Sequence, residues 1–365
     1  MEKDYLPKYI RVKRFIEKSI KEDNIKPGDK IPAEKELTDR YSVSRHTVRK
    51  ALDLLEREGV LEKRQGIGTF YKGINNSRQS KNIGFISISL HDYIFADILS
   101  GIDSVFHQNG YQIILGNSLD NLDREKAILR QFLEKNIDGL IIEPAKSALS
   151  QSNLSLLQEI IKQNIPVVTL DSEYNDSRVN SVVVDDLYGG FLAVSHLLEM
   201  GHQEVAIIYK SIHNPALARL EGYKKGLSQA GLILRDELIK GYHFSEIESP
   251  QNFKEEIRSI TNELLVLSNP PTAIFCFNDQ IAVLVKEILN EEGIAVPEDI
   301  SLVGFDDSLM VNLNNISITS VSHPKKAAGK KAAEIILKQL VNIGVTEKKV
   351  FKPELVKRDS VKFIK

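Results

Sequence analysis

Val43-Ser44-Arg45-His46-Thr47-Val48-Arg49-Lys50-Ala51-Leu52 starts with a capping residue and runs on into a helical period. The Ser44 hydroxyl suits the free amides of a helix start. Val48, Leu52 and Leu55 recur at three- and four-residue steps with Ala51 beside them, which predicts a helix from Arg45 to about Arg57 with one apolar face. Gly59 closes it. The first turns hold no carboxylate, and Arg45 and Arg49, four apart, share a face away from the apolar stripe. A helix N-terminus that exposes Arg, His and Thr suits the major groove of DNA. Arginine forks onto guanine edges, a hydroxyl bonds base or phosphate, and helix amides favour phosphate.

Working outward, Tyr9, Val12, Ile16 and Ile20 predict an amphipathic helix over about 8–22. Lys26-Pro27-Gly28-Asp29 breaks it, and Pro32 introduces a short second helix over Ala33–Tyr41. Downstream, Val60–Arg64 and Thr69–Lys72 flank the turn Gln65-Gly66-Ile67-Gly68 and read as a hairpin. The two glycines lack a third partner and a following helix, so a dinucleotide loop is set aside. Helix-turn-helix plus hairpin is an α+β winged helix, here residues 1–73. A glycine tip lets the hairpin backbone approach a sugar-phosphate chain or a minor groove. Residues 74–81 are polar, without periodicity, and read as a linker.

The charge divides at this joint. Residues 1–73 carry a net +5 and the remainder −7. A basic head on an acidic body suggests that only the head meets a polyanion. Hydrophobic residues at 42% and charged residues at 27% exclude bulk disorder and a coiled coil. The single cysteine, Cys276, cannot form an intrachain disulfide or a zinc ribbon and sits in an apolar strand as a core residue. No export signal opens the sequence and no apolar run spans a membrane, so a cytoplasmic protein is expected.

In residues 82–365, short apolar runs alternate with helix-period segments. Strands are predicted at Ile83–Ile88, Gln112–Leu115, Gly139–Ile142, Val167–Leu170, Val182–Val184, Val205–Ile208, Ala273–Phe275 and Leu302–Val303. Helical stretches between them include Glu125–Glu134, Leu154–Lys162, Phe191–Glu199, Leu217–Gln229, Ile281–Leu289 and Ala327–Leu340. Such alternation means an α/β body of parallel sheets, and its length suits two lobes with a cleft at the strand ends. Just past the strands come Phe95, Glu143, Asp171, Arg219, Asn278-Asp279 and Asp306-Asp307. Carboxylates, an amide and a guanidinium can bond sugar hydroxyls in a fan while aromatics cover the apolar ring face. A simpler role for Asp279 is as the cap of the helix that follows it.

Other chemistries find little footing. The adjacent pairs Asp185-Asp186 and Asp306-Asp307 raise glycoside hydrolysis, but sequence neighbours usually point apart. No histidine pair has metal-ligand spacing and there is no P-loop. No catalytic residue, cofactor or metal is expected. A sugar-transport receptor is the remaining alternative, and the winged helix and absent export signal argue against it.

The blocks Pro27–Glu34, Val43–Leu52 and Gly66–Phe70 together resemble the GntR-type winged-helix signature. The resemblance implies major-groove contacts from Arg45, His46, Thr47 and Arg49, with Glu34 and Lys35 beside them. It implies wing contacts from Gln65 and Gly66, and a phosphate contact from Lys8. The segments Phe275–Ala282, Val296–Asp307 and Ala193–His202 resemble the effector domain of LacI-type repressors, which has the periplasmic sugar-binding-protein fold. That likeness implies effector contacts from Phe95, Asp171, Arg219, Asp279 and His323. The joining of the two modules, with the tags Leu6–Tyr9, Asp138–Leu149 and Thr319–Lys325, is similar to the arabinose-responsive repressors of Gram-positive bacteria. It adds Glu143 and implies a homodimer that leaves double-stranded operator DNA on binding L-arabinose. The segments Lys210–Ala218 and Tyr242–Glu246 carry no family motif, and loops of this kind often select the sugar.

Overall fold

The computed structural model describes residues 8–57, 59–64, 66–72, 80–90, 93–149, 152–174, 176, 178–243, 249–312, 317–341 and 346–365. The chain divides into two units, Met1–Gln79 and Ser80–Lys365.

In the first unit, α1 (Lys8–Glu22), α2 (Glu34–Tyr41) and α3 (Arg45–Arg57) are followed by β1 (Leu61–Arg64) and β2 (Gly68–Tyr71). The predicted stripes meet: Val12, Ile16 and Ile20 of α1 pack with Leu37 of α2 and Val48, Leu52 and Leu55 of α3. Ser42, at φ 51, stops α2 in a left-handed turn and sends its amide back to Thr38 O. β1 and β2 pair antiparallel, with Arg64 opposite Gly68. The Lys26–Asp29 break also supports the wing: Ile31 N donates to Thr69 O and Tyr71 N to Asp29 O.

The second unit has two six-stranded sheets. The first lobe runs through β3 (Asn82–Ser87), α4 (Phe95–Phe106), β4 (Gln112–Asn117), α5 (Leu122–Glu134), β5 (Gly139–Ile142), α6 (Leu154–Lys162), β6 (Val167–Leu170) and β7 (Asn180–Val184). The chain then crosses to α7 (Asp186–Glu199), β8 (Val205–Lys210), α8 (Asn214–Gln229), β9 (Ile239–Tyr242), α9 (Pro250–Leu265), β10 (Ala273–Cys276), α10 (Asp279–Glu291), β11 (Ser301–Asp306) and β12 (Thr319–Ser322). It returns to the first lobe with α11 (Lys325–Val341) and β13 (Lys348–Phe351), and ends in the second with β14 (Leu355–Val356). The sheet orders are β13-β7-β6-β5-β3-β4 and β14-β12-β11-β10-β8-β9. All pairings within the two sheets are parallel except β12 with β14.

Each sheet is buried on both faces, which is why its central strands read as unbroken apolar runs. In β3, Ile83 and Phe85 join one apolar cluster with α4 and α11, while Ile86 joins another with Phe132 and Leu157. In β10, Ile274 and Cys276 face α9 and α10, while Ala273 and Phe275 face α7 and α8. Cys276 is therefore core, and burial pushes its thiol well above the ordinary range. All eight predicted strands are present. Strands β9, β12, β13 and β14 and helices α4 and α9 lie outside the predicted set. Three crossovers join the lobes, at 184–186, 322–325 and 351–355, all at the β7/β13 side of one sheet and the β12/β14 side of the other.

Candidate DNA-binding face and effector cavity

In the first unit, Ser44 caps α3 as expected. Its Oγ accepts from Thr47 N at 3.2 Å and lies 2.8 Å from Thr47 Oγ1. Thr47 is therefore half-buried with its hydroxyl engaged, whereas Arg45, His46 and Arg49 are exposed. Arg49 forks onto Glu34: Nη2 donates to Oε2 at 3.0 Å and Nε to Oε1 at 3.3 Å. The two predicted DNA-contacting residues thus hold each other across the α2–α3 corner. Lys8 and Lys35 are exposed. At the wing, Gly66 is exposed at φ +76, and a side chain there would strain the turn. Gln65 lies outside the described residues. Beside the turn, the Arg64 guanidinium sits 4.6 Å from the centroid of Phe70.

In the second unit a cavity of about 550 Å³ lies between the lobes at the strand ends. Phe95, Glu143, Asp171, Arg219 and His323 all line it. Arg219 is its organising group. Nε donates to Asp186 Oδ1 at 2.8 Å, Nη1 to Phe277 O at 2.6 Å, and Nη2 stands 3.9 Å from Asp306 Oδ1. The guanidinium also stacks on Phe305. Burial pushes the Asp186 carboxyl up, against the pull of Arg219.

From the first lobe, Tyr93 donates its hydroxyl to the Asp306 carboxylate. Asp171, at φ 60, holds Oδ1 2.8 Å from His323 Nε2. Burial opposes the His323 imidazolium, but Asp171, with Asp306 behind it, outweighs burial and raises the group above the ordinary histidine range. Glu143 accepts from Ser87 Oγ at 2.6 Å and Ile88 N at 3.1 Å. Two buried wall atoms, Ser172 Oγ and His323 Nδ1, have no partner among the described residues. A ligand hydroxyl can satisfy such atoms. Phe95, stacked on Phe85, and Phe277 and Tyr242 on the other lobe add apolar faces.

Asp279 differs from expectation. It is fully buried and does not border the cavity. Ser320 Oγ donates to its Oδ1 and Ser308 N to its Oδ2, both at 2.6 Å. Nor is it the helix cap, because Asn278 Oδ1 accepts from Ile281 N and Asp279 occupies the first turn. The acids of this lobe that do border the cavity are Asp186 and Asp306, the latter held at φ 98. Both adjacent acid pairs point apart: Asp185 caps α7 while Asp186 meets Arg219, and Asp307 turns to Arg358 while Asp306 faces Tyr93. The wall also includes Asp120, Lys210 and His213, which no sequence motif marked. The tail of Tyr242–Glu246, residues 244–246, lies outside the described residues.

The first unit matches the model of bacterial regulatory proteins of the gntR family over residues 8–70. The second matches a periplasmic binding protein-like domain over 194–361. An arabinose metabolism transcriptional repressor of Geobacillus stearothermophilus is 34% identical over the whole of both chains. One from Halalkalibacterium halodurans is 35% identical over 90% of this chain and 88% of its own. The transcriptional repressor PurR of Vibrio atlanticus is 30% identical over 78% of this chain and 82% of its own. A solved LacI family transcriptional regulator from Enterococcus faecium with bound ribose is 26% identical and superposes with a TM-score of 0.66, covering 78% of this chain and all of its own. Among the described residues, no helix is long and apolar enough to cross a membrane.

Proposed function

The chain belongs to the transcriptional repressors that join a GntR-type winged helix to a LacI-type, periplasmic-binding-protein-like body, and from that premise we propose that it is sugar-responsive, with L-arabinose as its effector. The observation that carries the reading is the fan of polar groups centred on Arg219, set between two lobes and bordered by aromatic faces. A pentose presents many hydroxyls around a small apolar ring, which suits alternating acceptors and donors. The full-length likeness to arabinose metabolism repressors supports L-arabinose within that class.

In this reading Phe95, Glu143, Asp171, Arg219 and His323 border the sugar, joined by Tyr93 and Asp306. Asp279 supports the wall through Ser308 and Ser320. On the DNA side, Arg45, His46 and Arg49 read the major groove, Gly66 brings the wing backbone to the duplex, and Lys8 and Lys35 meet phosphates. Two copies bind a palindromic operator, matching molecular two-fold symmetry to two half-sites. Sugar bridges the lobes and favours the closed body, which lowers operator affinity through the linker. Its leverage is the difference in its affinity for the two states, typically about 1–3 kcal/mol.

Thermal unfolding with a panel of pentoses and hexoses tests the effector. Ligand at about 100 times its dissociation constant stabilises by about 2.7 kcal/mol, a shift of several degrees. A shift with L-arabinose, followed by release from operator DNA in a gel shift with the same sugar, is expected. A shift with D-ribose instead, the sugar bound in a solved relative, would replace the effector and keep the mechanism.

A further inference from the structure

The loop after β4 holds a carboxylate whose side-chain partners come from the other lobe. Asp120 is 1% exposed. Its Oδ2 accepts from Nζ of Lys210, the last residue of β8, at 2.9 Å and lies 2.9 Å from Nε2 of His213, just beyond it. Its Oδ1 accepts from Lys146 N of its own lobe at 2.9 Å. Leu119, Asp120 and Lys146 have φ of 51, 55 and 43, a region that residues other than glycine rarely adopt. The neighbouring turn reaches across as well. Ala148 N donates to Ile212 O at 3.2 Å, Asn214 N to Ser147 Oγ at 3.0 Å, and Asn214 Nδ2 to Ser147 O at 3.0 Å.

Topology gives these contacts their meaning. β4 is the edge of its sheet farthest from β13, and β8 and β9 lie at the end of theirs farthest from β14. The crossovers join the lobes at the opposite side. Contacts at this rim therefore depend on the lobes being closed, not on chain connection. Ser147 and Asn214 do not border the cavity.

We propose that the Asp120 loop and the 146–148 turn, gripping residues 210–214, are a latch that sets how readily the body closes, whichever sugar fills it. The inference rests on the effector reading above. A ligand that selects the closed body binds with an apparent affinity scaled by the closed fraction. Weakening the latch lowers that fraction and raises the dissociation constant of every cavity ligand by one common factor. Asp120, Lys210 and His213 border the cavity as well, so Ser147 and Asn214 are the residues to change.

The experiment uses the full chain and the variants Ser147→Ala and Asn214→Ala, each first checked for an intact cooperative thermal transition. Amide exchange of residues 145–149 and 210–214 is followed without sugar, with the β10 strand as an internal reference. Dissociation constants are then measured for L-arabinose and D-ribose. The latch predicts faster exchange at both rim segments with β10 unchanged. It also predicts affinities lower by the same factor for each sugar that binds, on the order of 5- to 50-fold. Unchanged exchange, or loss factors that differ between the two sugars, would overturn it. If the wild-type chain binds neither sugar, the choice of effector falls, and the exchange result still decides for or against the latch.

Discussion

Arg219 lays its guanidinium 3.4 Å from the centroid of the Phe305 ring while its Nε donates to Asp186 Oδ1. One side chain thus ties the start of α7 to the end of β11 and to the carbonyl of Phe277. Lysine carries the charge but lacks both the fork and the plane. Arg219→Lys is expected to weaken sugar binding at least tenfold, about 1.4 kcal/mol, and to give a repressor that sugar no longer releases. Operator affinity without sugar should stay within twofold. Calorimetry and a gel shift on the same preparation check this, and equal loss of both activities would sink the division of labour between the two units.

Arg49 and Glu34 make the matching prediction for the head. Losing a bidentate guanine contact costs about 1–3 kcal/mol. Arg49→Ala should therefore lower operator affinity roughly 10- to 100-fold and leave sugar affinity unchanged. Lys8→Ala should weaken all DNA sequences alike and reduce the salt slope of binding by about one. Fluorescence anisotropy against salt, on operator and scrambled duplexes, separates the two. Arg49→Ala acting equally on both duplexes would remove it from base reading.

His323 and Asp279 make stability fall as pH rises. The His323 value is raised in the folded protein, so its contribution is complete below the ordinary 6.5 and is lost as pH climbs through the folded value. Asp279 is pushed up to about 7 by burial and then by Asp306, against the bonds from Ser308 and Ser320. The folded chain therefore retains a proton that the unfolded chain gives up near 3.8, and stability declines between about pH 4 and 7. Asp279→Asn should flatten the slope of urea midpoint against pH between 5 and 7. His323→Gln should flatten it above 6.5. A slope identical to wild type in either variant contradicts the assignment for that residue.

Gly190 lies where α7 crosses α8. A Cβ there would stand 2.2 Å from Arg219 O, backbone that has nowhere to go. Gly222 on the facing helix would meet Leu187 O at 2.1 Å. Gly190→Ala is expected to destabilise the body by about 1–3 kcal/mol or more through overpacking, and to weaken sugar binding by shifting Arg219. Differential scanning calorimetry should find the head's transition unmoved. A body transition within one degree of wild type would show that the helices separate freely.

Local order explains what could be read directly from the chain. The α3 stripe of Val48, Leu52 and Leu55 and the Ser44 cap depend on residues within one or two turns, so they announced the winged helix. Apolar runs such as Val167–Leu170 announced buried parallel strands because both faces of each sheet are covered. β12 escaped notice because Thr319 and Ser320 are polar. They are fully buried only because Ser360, Arg358 and Asp279 meet their polar groups. β13 is a lysine-rich edge strand, and β14 spans two residues.

Which acid faces the cavity was a tertiary decision. Asp279 follows a strand and Asp306 ends one, yet Asp306, at φ 98, meets Tyr93, while Ser308 and Ser320 enclose Asp279. The pairs that span the cavity, Tyr93 with Asp306, Asp120 with His213 and Asp171 with His323, lie 213, 93 and 152 residues apart. Periodicity and capping act over a few residues and carry no information about such partners. They meet only because three crossovers bring the two sheets face to face, strand ends inward.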